Sequence, residues 1–316
     1  SDYFGEIANM GDSVKIIKEP EISVSSYARG TAIAAQDIAD ADFTLVVDKA
    51  NYFAFKMDDI EEAHSHVNFM QMATDRAAYR LRDQYDQEVL GYLSGYKQSA
   101  LHTSADTVND TVSGTKADAT ADADELLAAN KLDAEDFANG QVVADGDTIA
   151  LRPRMPGQTA AFTGAGEASP LQVIARMARK MDLQNVDTNG RWIVVDPVFV
   201  EMLKDEDSRV LNADFGGSGL QNGLVLNNLH GFKVYVSNNL PSVGTGASTI
   251  GGSNSGVNFG VIVAGHQSAV ATAEQINKTE TYRDPDSFAD VVRGMHLYGR
   301  KILRPEAIVT ARYNLA

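Results

Sequence analysis

Few residues in this 316-residue chain are suited to chemistry, and their spacing disarms most of them. Two histidines stand two apart in His64-Ser65-His66. On a helix that spacing turns the rings about 200° apart, so they cannot share one metal ion and read as solvated polar groups. His230, His266 and His296 lie near strand or turn ends without a sequence partner and read as structural. Cysteine is absent, which excludes disulfides and cysteine-based zinc or redox chemistry. Gly164-Ala165-Gly166 lacks the third glycine of a dinucleotide-binding turn, and no glycine-rich loop ends in the lysine that reaches a phosphate. Gly216-Gly217-Ser218-Gly219 and Gly251-Gly252 read as plain loops. Asp118, Asp122, Asp124 and Glu125 have the charge for calcium but not the glycine and distal glutamate of an EF-hand loop. No serine sits in a G-x-S-x-G elbow. No catalytic, cofactor-binding or metal-ligating residue is expected, and no cofactor.

The bulk composition narrows the classes further. A hydrophobic share of 44% is that of a core-forming globular protein. No apolar run approaches the ~18–20 residues of a membrane-spanning helix. The opening Ser1-Asp2-Tyr3-Phe4-Gly5-Glu6 lacks the basic and apolar regions of a signal peptide. It also lacks an initiator Met, which leaves Met removal, maturation cleavage and a shortened piece open. The formal charge of −16 argues against a protein that grips nucleic acid by its phosphates. An acidic surface keeps a protein soluble and also lets a packed polyanion slide past.

The elements follow from periodicity. Val14-Lys15-Ile16 alternates as a half-buried strand, and so do Ile22 to Ser25, Phe43 to Val47 and Tyr52 to Met57. The span 21–57 reads as a long two-stranded arm with a polar tip at 30–42. A lone hairpin is marginal in water, so such an arm needs a surface to lie on. A long helix is expected over 59–93, with its stripe at Ile60, Ala63, Val67, Met70, Thr74, Ala77, Leu81, Tyr85 and Val89. At 1.5 Å per residue it would be a rod of roughly 50 Å. The span 102–147 holds eleven acidic residues and two lysines, nine of the sixteen net negative charges, and reads as an exposed insertion with a short helix at 125–129. A loop is expected at 157–167.

Ser169-Pro170 is an N-cap followed by a first-turn proline, opening a helix that buries Leu171, Ile174, Met177, Ala178 and Met181. Arg191-Trp192-Ile193-Val194-Val195 reads as a fully buried strand with Trp192 in the core. Asp196-Pro197 repeats the cap-plus-proline signal and starts a short helix to Leu203. Strands are expected at 231–236, 259–264 and 307–311. Spans 271–283 and 288–303 should pair across Asp284-Pro285-Asp286. The order gives an α+β chain without regular βαβ repetition.

Several segments together resemble the major capsid proteins of tailed bacteriophages. They are Asp2-Tyr3 with Gly5-Glu6-Ile7 and then Gly11-Asp12-Ser13-Val14; Tyr52-Phe53-Ala54-Phe55-Lys56-Met57-Asp58-Asp59-Ile60; and Arg191-Trp192-Ile193-Val194-Val195-Asp196-Pro197. Gly231-Phe232-Lys233-Val234-Tyr235-Val236, running on to Leu240-Pro241, and the stretch from Val292-Arg293-Gly294-Met295 to Arg304-Pro305-Glu306-Ala307 complete the set. The resemblance implies an HK97-like capsid fold. In it, 1–20 is an N-terminal arm, 21–57 an extended loop lying over a neighbour, and 58–101 the spine helix of a peripheral domain. Span 102–168 is an insertion and 169–186 a peripheral-domain helix. Span 187–268 is the axial domain, 269–304 the peripheral strands and 305–316 the closing strand of the axial domain.

The implied function is a shell protein that assembles with itself into hexamers and pentamers of an icosahedral head around double-stranded DNA. Its implied partners are further copies, a portal protein, scaffolding and cement proteins, and DNA touched weakly and without sequence preference. Its implied location is the virion, assembled in the host cytoplasm, with no membrane contact. Contact candidates between subunits are Arg29, Gly30, Lys49, Tyr52 and Lys56; hinge candidates are Gly30, Asp48, Gly91 and Gly95. One branch of this fold seals its shell with Lys–Asn isopeptide bonds, but no sequence feature supplies the acidic catalyst that Lys49 or Lys56 would need. Two other readings stay open: an encapsulin-type nanocompartment shell, and a soluble acidic enzyme with an unrecognised site.

Overall fold

The computed structural model describes residues 3–4, 13–17, 42–47, 49–58, 69–94, 126–142, 149–152, 164, 166–203, 229–240, 242–243, 259–285 and 287–315. The early strands are β1 (Tyr3–Phe4), β2 (Ser13–Ile17), β3 (Asp42–Val46) and β4 (Lys49–Asp58), followed by helix α1 (Phe69–Ser94). Next come β5 (Lys131–Leu132), β6 (Ile149–Leu151), β7 (Glu167–Ala168), helix α2 (Pro170–Leu183), β8 (Arg191–Val195) and helix α3 (Pro197–Leu203). The chain continues through β9 (Lys233–Val236), β10 (Ser242–Val243), β11 (Phe259–His266), β12 (Val270–Arg283), β13 (Ala289–Ile302) and β14 (Ile308–Leu315). Two compact units result: Ser1–Leu81 with Ala271–Leu303, and Arg82–Val270 with Arg304–Ala316.

The first unit holds two three-stranded sheets, ordered β1-β2-β3 and β12-β13-β4. β12 and β13 form the expected hairpin, closed where Asp284 N–H donates to Ala289 O at 2.9 Å. Of the two-stranded arm expected over 21–57, the strand before the polar tip at 30–42 lies outside the described residues. β3 pairs with β2, Phe43 opposite Ile16, and β4 pairs with β13, Phe55 opposite Val292. β3 and β4, which both follow the tip, lie in different sheets. A β-ladder needs a partner of matching alternation, and for β4 that partner lies more than 200 residues away, where local patterning cannot reveal it. The span 18–41, with Ile22 to Ser25, Arg29 and Gly30, lies outside the described residues.

α1 is described from Phe69; 59–68, with His64 and His66, lie outside the described residues. Its 26 residues extend about 39 Å. Met70, Thr74, Ala77, Leu81, Tyr85 and Val89 are all half-buried, while Asp75, Arg76, Tyr79 and Arg80 are exposed, so the expected stripe is present along the described part. Gly91 is buried and helical, and the helix runs on through Ser94; Gly95 and Asp48 lie outside the described residues.

The second unit is built on a mixed eight-stranded sheet. Six strands run in the order β7-β6-β14-β11-β8-β9, with β10 on β11 and β5 on β14. Its core gathers Ile193, Val195, Ile262, Ala264, Val309, Ala311 and Tyr313 from the sheet with Val173, Ile174, Met177 and Met181 of α2 and Phe199 of α3. α2 begins as its sequence dictates. Ser169 Oγ accepts from Gln172 N–H at 3.3 Å, Gln172 Oε1 accepts from Ser169 N–H at 3.0 Å, and Pro170 sits in the first turn. Packed against β14 and α3, α2 belongs to this unit rather than to the unit of β12 and β13, a correction to the expected layout. Val173 is buried in place of Leu171 and Ala178, which are half-buried, because the apolar stripe is rotated by a fraction of a turn.

Two further expectations are corrected in this unit. The acidic span is not all exposed insertion. Leu126, Leu132, Phe137, Ile149 and Leu151 are buried, β5 and β6 run parallel to β14, and a 3-10 turn at Ala128–Asn130 stands where a short helix was expected. The buried Asn130 amide pins this segment by donating to Ile308 O at 2.9 Å and accepting from Gln184 Nε2 at 2.6 Å. The span 102–125, with the candidate calcium carboxylates, lies outside the described residues. β8 alternates rather than being fully buried: Arg191, Ile193 and Val195 are inside, Trp192 and Val194 half-buried. Arg191 can be buried because its guanidinium reaches the Asp182 carboxylate at 2.8 Å and the carbonyls of Val186 and Asp187 at 2.5 and 2.8 Å. Trp192 covers Gly265 on the neighbouring strand.

Candidate assembly surface

β4 is the element that gathers the candidate contact residues. Its sequence alternates, and the structure follows: Ala50, Tyr52, Ala54, Lys56 and Asp58 are exposed, while Lys49, Asn51, Phe53 and Phe55 are half-buried and Met57 is buried. Side chains on a strand point to opposite faces in turn, so Tyr52 and Lys56 share one face and Lys49 belongs to the other. Register with β13 places Met295 opposite Tyr52, Arg293 opposite Ala54 and Val291 opposite Lys56 on the shared face. On the other face Phe53 stacks near Phe55 and covers Gly294, where a Cβ would come within 2.3 Å of its ring.

The shared face carries apolar side chains and tied-down charges together. Tyr52 is 79% exposed, Tyr282 45% and Met295 38%. Between them runs a groove of about 500 Å³ lined by Tyr52, Ala54, Glu280, Tyr282, Arg293 and Met295. Arg293 donates through Nε and Nη2 to Glu280 Oε2, at 3.2 and 2.8 Å, and its guanidinium lies 5.2 Å over the Tyr282 ring. The Glu280 carboxylate raises the guanidinium pKa still further. Lys56 Nζ reaches Asp284 Oδ2 at 2.6 Å, and Ser287 Oγ donates to the same oxygen at 2.8 Å. Of the five candidate contact residues, the structure thus brings Tyr52 and Lys56 together, turns Lys49 away and leaves Arg29 and Gly30 undescribed. Sequence reasoning missed Glu280, Tyr282, Arg293 and Met295. Their signal is the exposed parity of β12 and β13, which becomes visible only once the sheet order β12-β13-β4 is known.

Titratable groups elsewhere tie elements of the fold together. Asp196 Oδ1 accepts from Phe199 N–H at 3.1 Å and from the Tyr313 hydroxyl at 2.5 Å, so the carboxylate caps α3 and ties it to β14. Oδ2 is buried and has no hydrogen-bond partner among the described residues. Burial pushes the Asp196 carboxyl above its ordinary range, and burial beside Asp196 pushes the Tyr313 phenol upward as well. His266 accepts from Ser268 N–H through Nδ1 and meets Asn189 O through Nε2 at 2.7 Å. His296 stands in mid-strand, stacked on Tyr298 and 3.6 Å from Glu274. Among the described residues no group of three or more acidic or histidine side chains is placed to hold a metal ion. No helix among them is long and apolar enough to cross a membrane.

Comparison with known proteins agrees over nearly the whole chain. The structure is similar to one from Mycobacterium phage Che8 (TM-score 0.62, 23% identity, 96% of this chain and 85% of that one). It is also similar to the capsid of the cyanophage P-SCSP1u (TM-score 0.59, 19% identity, 98% and 85%). A third likeness is to the mature capsid of bacteriophage PhiM1 (TM-score 0.58, 14% identity, 98% and 89%). No curated protein sequence matches. The family model for phage capsid proteins matches residues 18–311, and the chain therefore belongs to the phage capsid protein family.

Proposed function

We propose that this protein builds the icosahedral head shell around the double-stranded DNA of a tailed phage, with hexamers and pentamers of the same chain as its working form. The observation that carries the reading is the family match over 18–311, joined to likeness with two phage capsids over 98% of the chain. The unit of β12, β13 and β4 then serves as the peripheral domain and the unit of the mixed sheet as the axial domain. A formal charge of −16 suits a wall that packed DNA does not grip. A portal protein, and scaffolding or cement proteins where the phage uses them, are the partners this reading implies, and the virion is its place. Lys49, with Arg29 and Gly30, stays a candidate contact, and Gly30, Asp48, Gly91 and Gly95 stay candidate hinges. The shell acts by binding and carries out no turnover.

The test is size-exclusion chromatography and electron microscopy of the purified full chain, with analysis of the content of particles from infected cells. Hollow closed particles or capsomers are expected, with DNA inside the infectious form. Small monodisperse species alone would contradict the reading, and a protein cargo would turn it toward a nanocompartment shell.

A further inference from the structure

Asparagine followed by glycine is the dipeptide most open to reaction with its own backbone, because no side chain shields the glycine nitrogen from the asparagine Cγ. The sequence holds Asn139-Gly140, Asn189-Gly190 and Asn222-Gly223, the last of them outside the described residues. Asn139 and Asn189 are both exposed in turns, and Gly140 and Gly190 both have positive φ, at 82° and 85°. Their asparagine amides are held differently. Asn139 Nδ2 donates to Gly164 O at 3.1 Å and to Glu167 O at 3.2 Å, so its side chain cannot reach Gly140 N until both bonds break. The Asn189 amide has no hydrogen-bond partner among the described residues; only the backbone N–H of Asn189 is tied, to Asp187 Oδ1 at 3.0 Å.

A neighbouring ring acts on the same peptide. Ser268 N–H donates to His266 Nδ1 at 3.2 Å, and a ring nitrogen that accepts carries no proton. The proton of the neutral imidazole is therefore on Nε2, which donates to Asn189 O at 2.7 Å. That oxygen belongs to the peptide bond whose nitrogen is Gly190 N. When Gly190 N loses its proton, the negative charge is shared with this oxygen, and a donor fixed on it lowers the barrier.

We propose that Asn189 is a self-modification site, converting to aspartate and isoaspartate through a succinimide with His266 as the positioning residue. A bond forms from Gly190 N to Asn189 Cγ, the Cγ–Nδ2 bond breaks, and the proton lost by Gly190 N ends on the departing ammonia. Water then opens the ring. Cleavage between Gly190 N and Cγ gives aspartate, and cleavage between Gly190 N and the Asn189 main-chain carbonyl carbon gives isoaspartate. Nothing is oxidised or reduced, and water is the sole co-reactant. Either product adds a negative charge near Asp187, and isoaspartate also inserts a carbon into the main chain just before the buried Arg191. The reaction belongs to the single chain and does not depend on the shell reading.

The test incubates the full chain at mildly alkaline pH, in buffer and in urea, and follows its peptides by mass spectrometry with isoaspartate methyltransferase labelling. In buffer, Asn189 should convert about tenfold faster than Asn139, whose amide must first break two hydrogen bonds. In urea the two rates should draw together. Conversion of Asn189 no faster than that of Asn139 in buffer overturns the proposal, as does aspartate formed without isoaspartate, the mark of direct hydrolysis. His266→Ala should slow conversion at Asn189 by about two- to tenfold, the worth of one hydrogen bond, and leave Asn139 unchanged. An unchanged or faster rate at Asn189 in that folded variant overturns the proposal. The comparison of Asn189 with Asn139 in the parent chain needs no variant, so it decides even where His266→Ala fails to fold.

Discussion

The two units bury their sheets in opposite ways. In the second unit the central strand β11 is closed on both faces, with Val261, Ile262, Val263 and Ala264 all at 0% exposure. In the first unit β4 alternates between exposed and half-buried side chains along nearly all of its ten residues, and its outward face shows Tyr52 to solvent. Both are regular hydrogen-bonded sheets. The difference teaches where each unit's apolar area lies: inside the fold in one, and partly at the surface in the other. A substitution in the closed sheet should act on subunit stability, and one on the open face should act on association.

That contrast breaks most easily at Phe199, which is fully buried and packs edge-on against Tyr313 at 5.6 Å. Phe199→Ala should cost about 3–5 kcal/mol in urea unfolding of the subunit. Tyr52→Ala, an aromatic truncation of similar size, should cost under about 0.5 kcal/mol in the same assay. Equal costs would erase the distinction. Next in size, Gly299→Ala would bring a Cβ to 2.4 Å from the Val46 carbonyl oxygen. Backbone cannot swing aside, so about 1–3 kcal/mol of destabilisation is expected. Gly294→Ala meets instead the half-buried Phe53 ring, which can rotate, and should cost less in the same measurement.

A third expected effect depends on pH. Burial holds the Asp196 carboxyl above its ordinary pKa in the folded state. The folded protein therefore binds this proton more tightly than the unfolded chain does. The stabilisation is fully present below the ordinary carboxylate pKa and is lost as pH rises through the raised one. The groups acting on Asp196 are the Tyr313 hydroxyl and the backbone N–H groups of Phe199 and Asp196, none of them cationic. Asp196→Asn keeps a capping oxygen and removes the titration. Its stability relative to the parent should rise with pH, by about 1.4 kcal/mol for each unit of pKa elevation. Urea unfolding at a series of pH values reads this, and a gap that stays constant would show that the carboxyl titrates as it does in the unfolded chain. A small effect is expected for Lys56→Ala as well. Its ion pair with Asp284 is solvent-exposed, so subunit stability should change by less than about 1 kcal/mol, and less again in high salt.

Much of this fold was legible wherever a local rule decided it. Ser169-Pro170 and Asp196-Pro197 announce their helices because capping is settled within four residues. The stripe from Met70 to Val89 announces α1 for the same reason. What distance decides was not legible. Leu132, Ile149 and Leu151 hide among carboxylates and become core only when β5 and β6 meet β14, more than 160 residues later in the chain. Arg191 opens a buried strand because Asp182 and two carbonyls receive its charge. At the candidate surface, Tyr52 and Lys56 stood out in the sequence of β4. Tyr282, Arg293 and Met295 did not, since Arg293 and Met295 come alongside through the β4–β13 register and Tyr282 through β12 on the far side of β13.

Hydroxyl-radical footprinting of Tyr52, Tyr282 and Met295, in the free subunit and in the assembled particle, tests most directly whether the open sheet is a docking face. These side chains should react readily in the free subunit and become protected on assembly, while Phe199 and Tyr313 stay protected in both. Equal reactivity of Tyr52, Tyr282 and Met295 before and after assembly would contradict the account.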